Sequence, residues 1–205
     1  RTVFRNVRRT SFYLITTNVA EDVTIVSSMA MGLPLPMIPI QLLYLNLVTD
    51  TFTGIALVGE PTHKDVLSQP PKDKKEKIIN KDLFPFLILM AALMTAGTIP
   101  LFYYFLKNFG IERARTAAFV SMSMFQLFNV FNMRSLKNSL FKIGFSSNKW
   151  VIYAFTISFL AMLGVIYTPQ IANIFQFIPL SIGEFLIIIL ISSSVFIAGE
   201  IYKFF

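Results

Sequence analysis

Long apolar runs dominate this sequence, at roughly residues 11–33, 38–58, 83–106, 114–133, 150–168 and 179–202. A helix that crosses the hydrocarbon core of a bilayer needs about 20 apolar residues. Inside hydrocarbon every backbone N–H and C=O must find its partner within the protein, which leaves helices as the natural form of such runs. The expected fold is an all-α integral membrane protein, a bundle of six transmembrane helices with the lipid bilayer as its surroundings. Composition supports this. Only 14% of the 205 residues are charged, where a soluble domain carries about 25%. The 22 Phe residues suit a lipid-facing surface. No residue is Cys, which excludes disulfides and thiolate metal sites. No run resembles a cleavable signal peptide.

The first two runs are joined by Gly-Leu-Pro-Leu-Pro at 32–36, too short and too Pro-rich to be helical, so they are expected to form a tight hairpin. An even number of spans puts both termini on one side. The net charge of +7 does not indicate nucleic acid, because the basic residues fall between the apolar runs. Fifteen of the 18 lie on the side of the termini and only Lys107, Arg113 and Arg115 on the other. The positive-inside rule makes the fifteen-residue side cytoplasmic. The longest connection, residues 59–82, then reads as a solvated cytoplasmic loop. It holds His63, the single histidine, which reads as a surface residue rather than a ligand.

Several polar residues interrupt the spans. The first carries Asn18, Glu21 and Asp22, and the second carries Asn46, Thr49 and Asp50. Positions i, i+3 and i+4 share one helical face. The hairpin makes these helices antiparallel neighbours and brings the two polar faces to similar depth. A carboxylate at that depth costs roughly 2.5–3.5 kcal/mol on insertion scales, and such residues mark functional sites by default. A bound cation held by Glu21, Asp50 and the nearby amide and hydroxyl oxygens would offset the cost. The ligands are hard oxygens, with no Cys and no His in a span. That favours Ca²⁺, Mg²⁺ or Mn²⁺, with Na⁺, K⁺ or H⁺ as alternatives. Gln126 and Asn129 in the fourth run could add further oxygens, or could simply join helices. Ser192, Ser193 and Ser194 read as small residues at a helix interface. Glu184 and Glu200 lie near span ends, where water is within reach, and are not counted in the site.

Asn-Val-Ala-Glu-Asp at 18–22, followed by Leu-Pro-Leu-Pro-Met-Ile-Pro-Ile-Gln-Leu-Leu-Tyr-Leu-Asn-Leu-Val-Thr-Asp at 33–50, resembles the fifth and sixth membrane helices of P-type cation-transporting ATPases. The Ca²⁺-ATPase branch is the nearest. The opening residues 1–18 resemble the stalk that enters the fifth helix. Residues 69–81 resemble the loop between helices six and seven, and 178–205 the end of the tenth. The resemblance implies that this is the C-terminal membrane half of such a pump, with Ca²⁺ as the transported ion. It implies that Asn18, Glu21, Thr49 and Asp50 serve one Ca²⁺ site, and Asn46 and Asp50 a second. Gln126 stands where two-site reticulum pumps carry Glu, so the number of ions stays open. The family usually follows the Asp with Gly and then, two residues on, Pro. Here the run is Asp-Thr-Phe-Thr-Gly-Ile-Ala, which leaves Gly54 as the expected point of helix loosening.

The partners the resemblance implies are the first four membrane helices, which bring a further acid, and the cytoplasmic domains with their ATP, Mg²⁺ and phosphorylated Asp. No Asp-Lys-Thr-Gly-Thr phosphorylation motif occurs in this sequence. The expected activity is ATP-driven Ca²⁺ export across a bacterial plasma membrane. The rival readings are a P-type Mn²⁺, Na⁺ or H⁺ pump, a stand-alone transporter or channel, and a membrane scaffold. The charge asymmetry predicts that a cysteine introduced at Lys74 is not modified by an impermeant thiol reagent applied outside intact cells. Ready labelling there would reverse the orientation.

Overall fold

The computed structural model describes residues 2–61, 83–136 and 138–204. His63 and nearly all of the long basic connection therefore lie outside the described residues. Their regular structure is all helical, with no strand among the described residues. The helices are α1 (Thr2–Ala30), α2 (Pro39–Tyr44), α3 (Thr51–Val58), α4 (Phe84–Phe109), α5 (Ile111–Met133), α6 (Leu140–Ile143), α7 (Lys149–Tyr167), α8 (Pro169–Phe175), α9 (Ile182–Ser192) and α10 (Ser194–Tyr202). Between α2 and α3 the chain runs through a π-helical turn, Leu45–Asp50, without leaving the helix axis. Four helical stretches are long and apolar enough to cross a membrane, namely Pro39–Val58, Phe84–Phe109, Lys149–Tyr167 and Ile182–Tyr202. The protein is an integral membrane protein. α1 and α5 are as long as these, but polar residues run along their packed faces.

Local chemistry explains the boundaries. α1 contains neither Gly nor Pro through 29 residues. It stops where Gly32 adopts φ +69°, a conformation that favours glycine. There Gly32 N–H donates to Met29 O and Leu33 N–H to Ser28 O, which satisfies the last carbonyls in a Schellman-type cap. Pro39 then opens α2 at a position where its missing N–H costs nothing. Ile38 N–H donates to Gln41 Oε1 at 3.1 Å, and Gln41 Nε2 donates to Phe175 O at 2.8 Å, pinning the hairpin tip to α8. Asn148 caps α7 by accepting from Trp150 N–H and Val151 N–H. Ser181 and Glu184 form a capping box at the start of α9.

α5 is the central rod. It packs against α1, α3, α4, α7, α9 and α10, and most of its residues from Ala114 to Met133 are buried. The close approach depends on small residues. A Cβ placed on Gly97 of α4 would lie 2.3 Å from the Phe125 ring, and one on Gly199 of α10 would lie 2.3 Å from the Asn132 amide. Asn132 Nδ2 instead donates to Val195 O at 2.9 Å, a helix-to-helix bond of the kind that holds membrane bundles together. Ser192 is buried and donates to Ser121 O. Large apolar side chains such as Leu186, Leu190, Leu160 and Ile157 point outward, as lipid-facing positions do.

A buried polar node closes one end of the bundle. Glu60, just past α3, faces Arg134 at the end of α5, and both side chains are fully buried. Arg134 Nε and Nη2 donate to the Glu60 carboxylate at 3.1–3.3 Å. The same guanidinium donates to Phe145 O at 2.7 Å and to Ser147 Oγ. Asn148 Nδ2 reaches Glu60 Oε2 at 2.7 Å and Ala56 O at 3.1 Å. Asn6 of α1 donates to Val58 O and Glu60 O, each at 2.8 Å. The first turns of α1, the end of α3, the end of α5 and the start of α7 therefore meet at one level. Glu200, expected within reach of water, is instead buried and accepts from Ser139 Oγ, Leu140 N–H and Lys203 Nζ. It closes the turn before α6, which needs an acceptor for its first N–H groups. At the opposite end Arg113 pairs with Glu184 at 2.8 Å.

Removing one partner of a buried ion pair strands the other. Arg134→Met is expected to destabilise the protein by roughly 3–5 kcal/mol, whereas Glu60→Leu with Arg134→Met costs much less. Thermal unfolding in detergent compares them. A double variant as unstable as the single one would remove the ion pair as the source of the cost.

Candidate cation-binding site

The α1 helix presents Tyr13, Thr17, Ala20, Glu21 and Thr24 to the interior, all buried. The spacing of Tyr13, Thr17 and Glu21 is four residues at each step, which stacks them on one face. Opposite them lies the π-helical turn. In a π turn one extra residue enters the helix, which re-aims the following side chains and frees backbone groups. Such turns recur at functional sites. Here the turn occupies Leu-Asn-Leu-Val-Thr-Asp itself. Gly54, the expected point of loosening, sits in regular helix instead, where its carbonyl accepts from Thr10 Oγ1. The loosening thus comes one turn earlier and needs no proline.

The two acids are both interior, Glu21 with 4% exposure and Asp50 with 2%. Asp50 Oδ2 accepts from Thr17 Oγ1 at 2.7 Å, and Oδ1 accepts from Tyr13 Oη at 3.2 Å. Glu21 Oε1 accepts from Gln126 Nε2 at 2.6 Å, and Oε2 from Asn46 Nδ2 at 3.2 Å. Every carboxylate oxygen therefore has a donor, and every one of those donors is neutral. Gln126 Oε1 is buried and has no partner among the described residues. Thr53 Oγ1 donates to Thr49 O at 2.7 Å and lies 3.0 Å from Tyr13 Oη, backing the tyrosine from behind.

A groove of about 420 Å³ opens beside this cluster, lined in part by Leu14, Asn18, Asn46, Asp50 and Thr51. Asn18 and Asn46 are exposed to it. Asn18 Nδ2 donates to Leu14 O at 2.6 Å, and Asn46 Nδ2 donates to Leu42 O as well as to Glu21. With both amide nitrogens turned onto protein acceptors, the two amide oxygens are left for the groove. The site thus has two parts: an inner one built on Glu21 and Gln126, and an outer one open along Asn18 and Asn46. Asp50 belongs to both.

Most of the residues expected from the sequence come together, with some changes. Glu21, Asn46 and Gln126 form one hydrogen-bonded set, and Asp50 lies in the same turn as Asn46. Asn18 was expected on the face of Glu21, but three helical positions separate the two by about a sixth of a turn. That step places it at the edge, in the groove. Asp22, adjacent to Glu21, is exposed and takes no part. Thr49 is buried, and its carbonyl accepts from Thr53 Oγ1 at 2.7 Å. Asn129 accepts from Asn132 and does not reach the acids. Tyr13 and Thr17 were not anticipated, although their four-residue spacing from Glu21 was there to read. Among the described residues no group of three or more Asp, Glu, His or Cys side chains gathers as a metal cluster. The acid charge of the site is that of Glu21 and Asp50.

Two buried carboxylates with amide and hydroxyl neighbours lie on packed membrane helices beside an open groove. The chain belongs to the cation-transporting ATPase C-terminus family, whose model matches residues 34–205. It is 32% identical over 204 residues to calcium-transporting ATPase 1 of Yarrowia lipolytica, covering 99% of this chain and 22% of that protein. It is 29% identical over 220 residues to calcium-transporting ATPase 1 of Bacillus cereus, covering 99% of this chain and 25% of that protein. Calcium-transporting ATPase type 2C member 2 of Rattus norvegicus is 32% identical over 203 residues, with 98% and 22% covered. The chain thus spans about a quarter or less of the length of these relatives.

Proposed function

We propose that this chain is the ion-carrying membrane portion of an ATP-driven P-type pump and that the ion is Ca²⁺. The observation that carries the reading is the pair of buried carboxylates, Glu21 and Asp50, held only by neutral donors from α1, α5 and the π turn. A hard divalent cation matches that donor set, since carboxylate, amide and hydroxyl oxygens are what Ca²⁺ coordinates. The names of the relatives from yeast, bacterium and rat agree with the ion. Two carboxylates balance one divalent charge, so with the neutral Gln126 in place of an acid we assign one Ca²⁺ to the residues of this chain.

In this reading Glu21 and Asp50 supply the charge, while Asn18, Asn46, Thr49 and Gln126 supply neutral oxygens. Entry of the ion would require Gln126 to rotate, so that Nε2 releases the Glu21 carboxylate and the unpartnered Oε1 faces the ion. Tyr13 and Thr17 hold Asp50 in place when no cation is there. The remaining oxygens that Ca²⁺ needs would come from the rest of the pump across the open groove. ATP and Mg²⁺ would act in its cytoplasmic domains. The chain would cross the bilayer six times, at 11–33, 38–58, 83–106, 114–133, 150–168 and 179–202. Both termini and residues 59–82 would then be cytoplasmic, at the end where Glu60 meets Arg134. Its short remaining connections suit a bacterial plasma-membrane pump.

The test is phosphorylation of the full-length pump from ATP, measured against Ca²⁺, Mn²⁺ and Na⁺ concentration. Asp50→Asn is expected to abolish Ca²⁺-dependent phosphorylation, because a full charge weighs most in a low-dielectric site. Glu21→Gln is expected to be severe but incomplete, since Asp50 remains. Gln126→Glu is expected to tighten Ca²⁺ binding, as added ligand charge does. An Asp50→Asn pump with unchanged Ca²⁺ dependence would sink the assignment.

A further inference from the structure

Thr51 follows Asp50 at the point where the π turn returns to α-helix. It is exposed and lines the groove with Asn18, Asn46 and Asp50. Its backbone N–H turns to Val48 O, and its hydroxyl takes over at Asn46 O, 3.2 Å away and five residues back. A threonine hydroxyl has one proton to give and two lone pairs. With that proton committed to the Asn46 carbonyl, the oxygen can act toward the groove only as an acceptor. That is the character a cation ligand requires. The arrangement also settles the Asn46 carbonyl, which the π turn would otherwise leave open beside the site.

We propose that Thr51 is a ligand of the transported ion, and that its hydroxyl oxygen favours Ca²⁺ over smaller divalent ions in the outer part of the site. This inference rests on the cation-pump reading above and deepens it. Three neutral oxygens then belong to residues that line the groove with Asp50: the amide oxygens of Asn18 and Asn46 and the hydroxyl of Thr51. Ca²⁺ takes 6–8 oxygens in a flexible shell, whereas smaller divalent ions are satisfied with fewer and more rigidly placed ones. Loss of one neutral oxygen therefore falls mainly on Ca²⁺.

The experiment uses the full-length pump with Thr51→Val, which keeps the shape and removes the hydroxyl, and Thr51→Ser, which keeps the hydroxyl and removes the methyl. The readout is the Ca²⁺ and the Mn²⁺ concentration at half-maximal phosphorylation, with the maximal phosphorylation level recording how much folded pump is present. Thr51→Val is expected to raise the Ca²⁺ value about tenfold and the Mn²⁺ value less than about threefold, consistent with the larger shell of Ca²⁺. Thr51→Ser is expected to behave as the parent. Equal shifts for both ions, or no shift, would overturn the ligand role. Should Thr51→Val fail to fold, Thr51→Ala decides: a shift confined mainly to Ca²⁺ supports the hydroxyl, and equal shifts or none overturn it. A parent pump with no ion-dependent phosphorylation would refute the pump reading itself, an outcome separate from any difference between the variants.

Discussion

Asp50 is almost wholly buried between α1 and the π turn, with only its edge on the groove, and the packing of the hairpin answers to that constraint. An ionised carboxylate removed from water must be hydrogen-bonded at each oxygen or paired with a cation. Thr17 and Tyr13 provide the bonds, and both stand on α1. This fixes the rotation of α1 about its axis, because the face that serves Asp50 must also carry Glu21. Glu21 in turn needs donors, and it draws one from the π turn and one from α5. The central position of α5 follows from the same need. A rod that delivers Gln126 to Glu21 must run through the middle of the bundle, and it does so by facing glycines at Gly97 and Gly199.

The π turn is where the second helix adapts to this demand. An α-helix places residues four apart on one face, so Asn46 and Asp50 would point the same way. The extra residue separates their tasks. Asp50 turns inward onto Thr17 and Tyr13, while Asn46 stays at the groove edge and reaches Glu21 with its amide nitrogen. A proline would achieve a similar opening by deleting a donor. Here the side chains of Thr51 and Thr53 do the work, by bonding to the Asn46 and Thr49 carbonyls. Backbone irregularity is tolerated at membrane depth when such side chains satisfy the freed groups and the irregular stretch lines a cavity.

That the chain is helical and built for a membrane was legible in the sequence because apolar length acts on whole segments. The buried polar cluster was legible at Glu21, Asn46, Asp50 and Gln126 because polar groups inside apolar runs stand out. Tyr13 and Thr17 passed unnoticed since neither is charged, and a tyrosine or threonine in a span has many ordinary roles. The π turn could not be read at all. It depends on an extra residue being absorbed by hydroxyl groups, and no single residue type announces that. Arg134 was counted with the basic residues that set topology, and Glu60 with the polar loop after the second span. Both assignments treated a charge as solvated because it lay beyond an apolar run. In the folded chain the ends of α1, α3, α5 and α7 close over the pair and exclude water. Glu200 was misread in the same way, since nearness to a helix end says nothing about what folds over it.

Among the described residues the buried acids fall into two kinds, those with a resident cation, Glu60 and Glu200, and those without, Glu21 and Asp50, and the difference separates architecture from function. Glu60 has a resident cation, Arg134, together with amide donors. Its charge is balanced permanently, and the groups around it leave no opening for exchange. Glu21 and Asp50 have donors but no resident cation, and they lie beside a groove with amide oxygens turned toward it. Neutral donors soften the burial of a carboxylate without cancelling its charge. A site left in that condition is poised for a mobile positive charge, and neutral bonds can be given up to it more readily than an ion pair can be broken. Glu60 and Glu200 clamp helix ends together, each with a resident cation, whereas Glu21 and Asp50 have none, which in the proposed reading leaves them able to accept and release an ion.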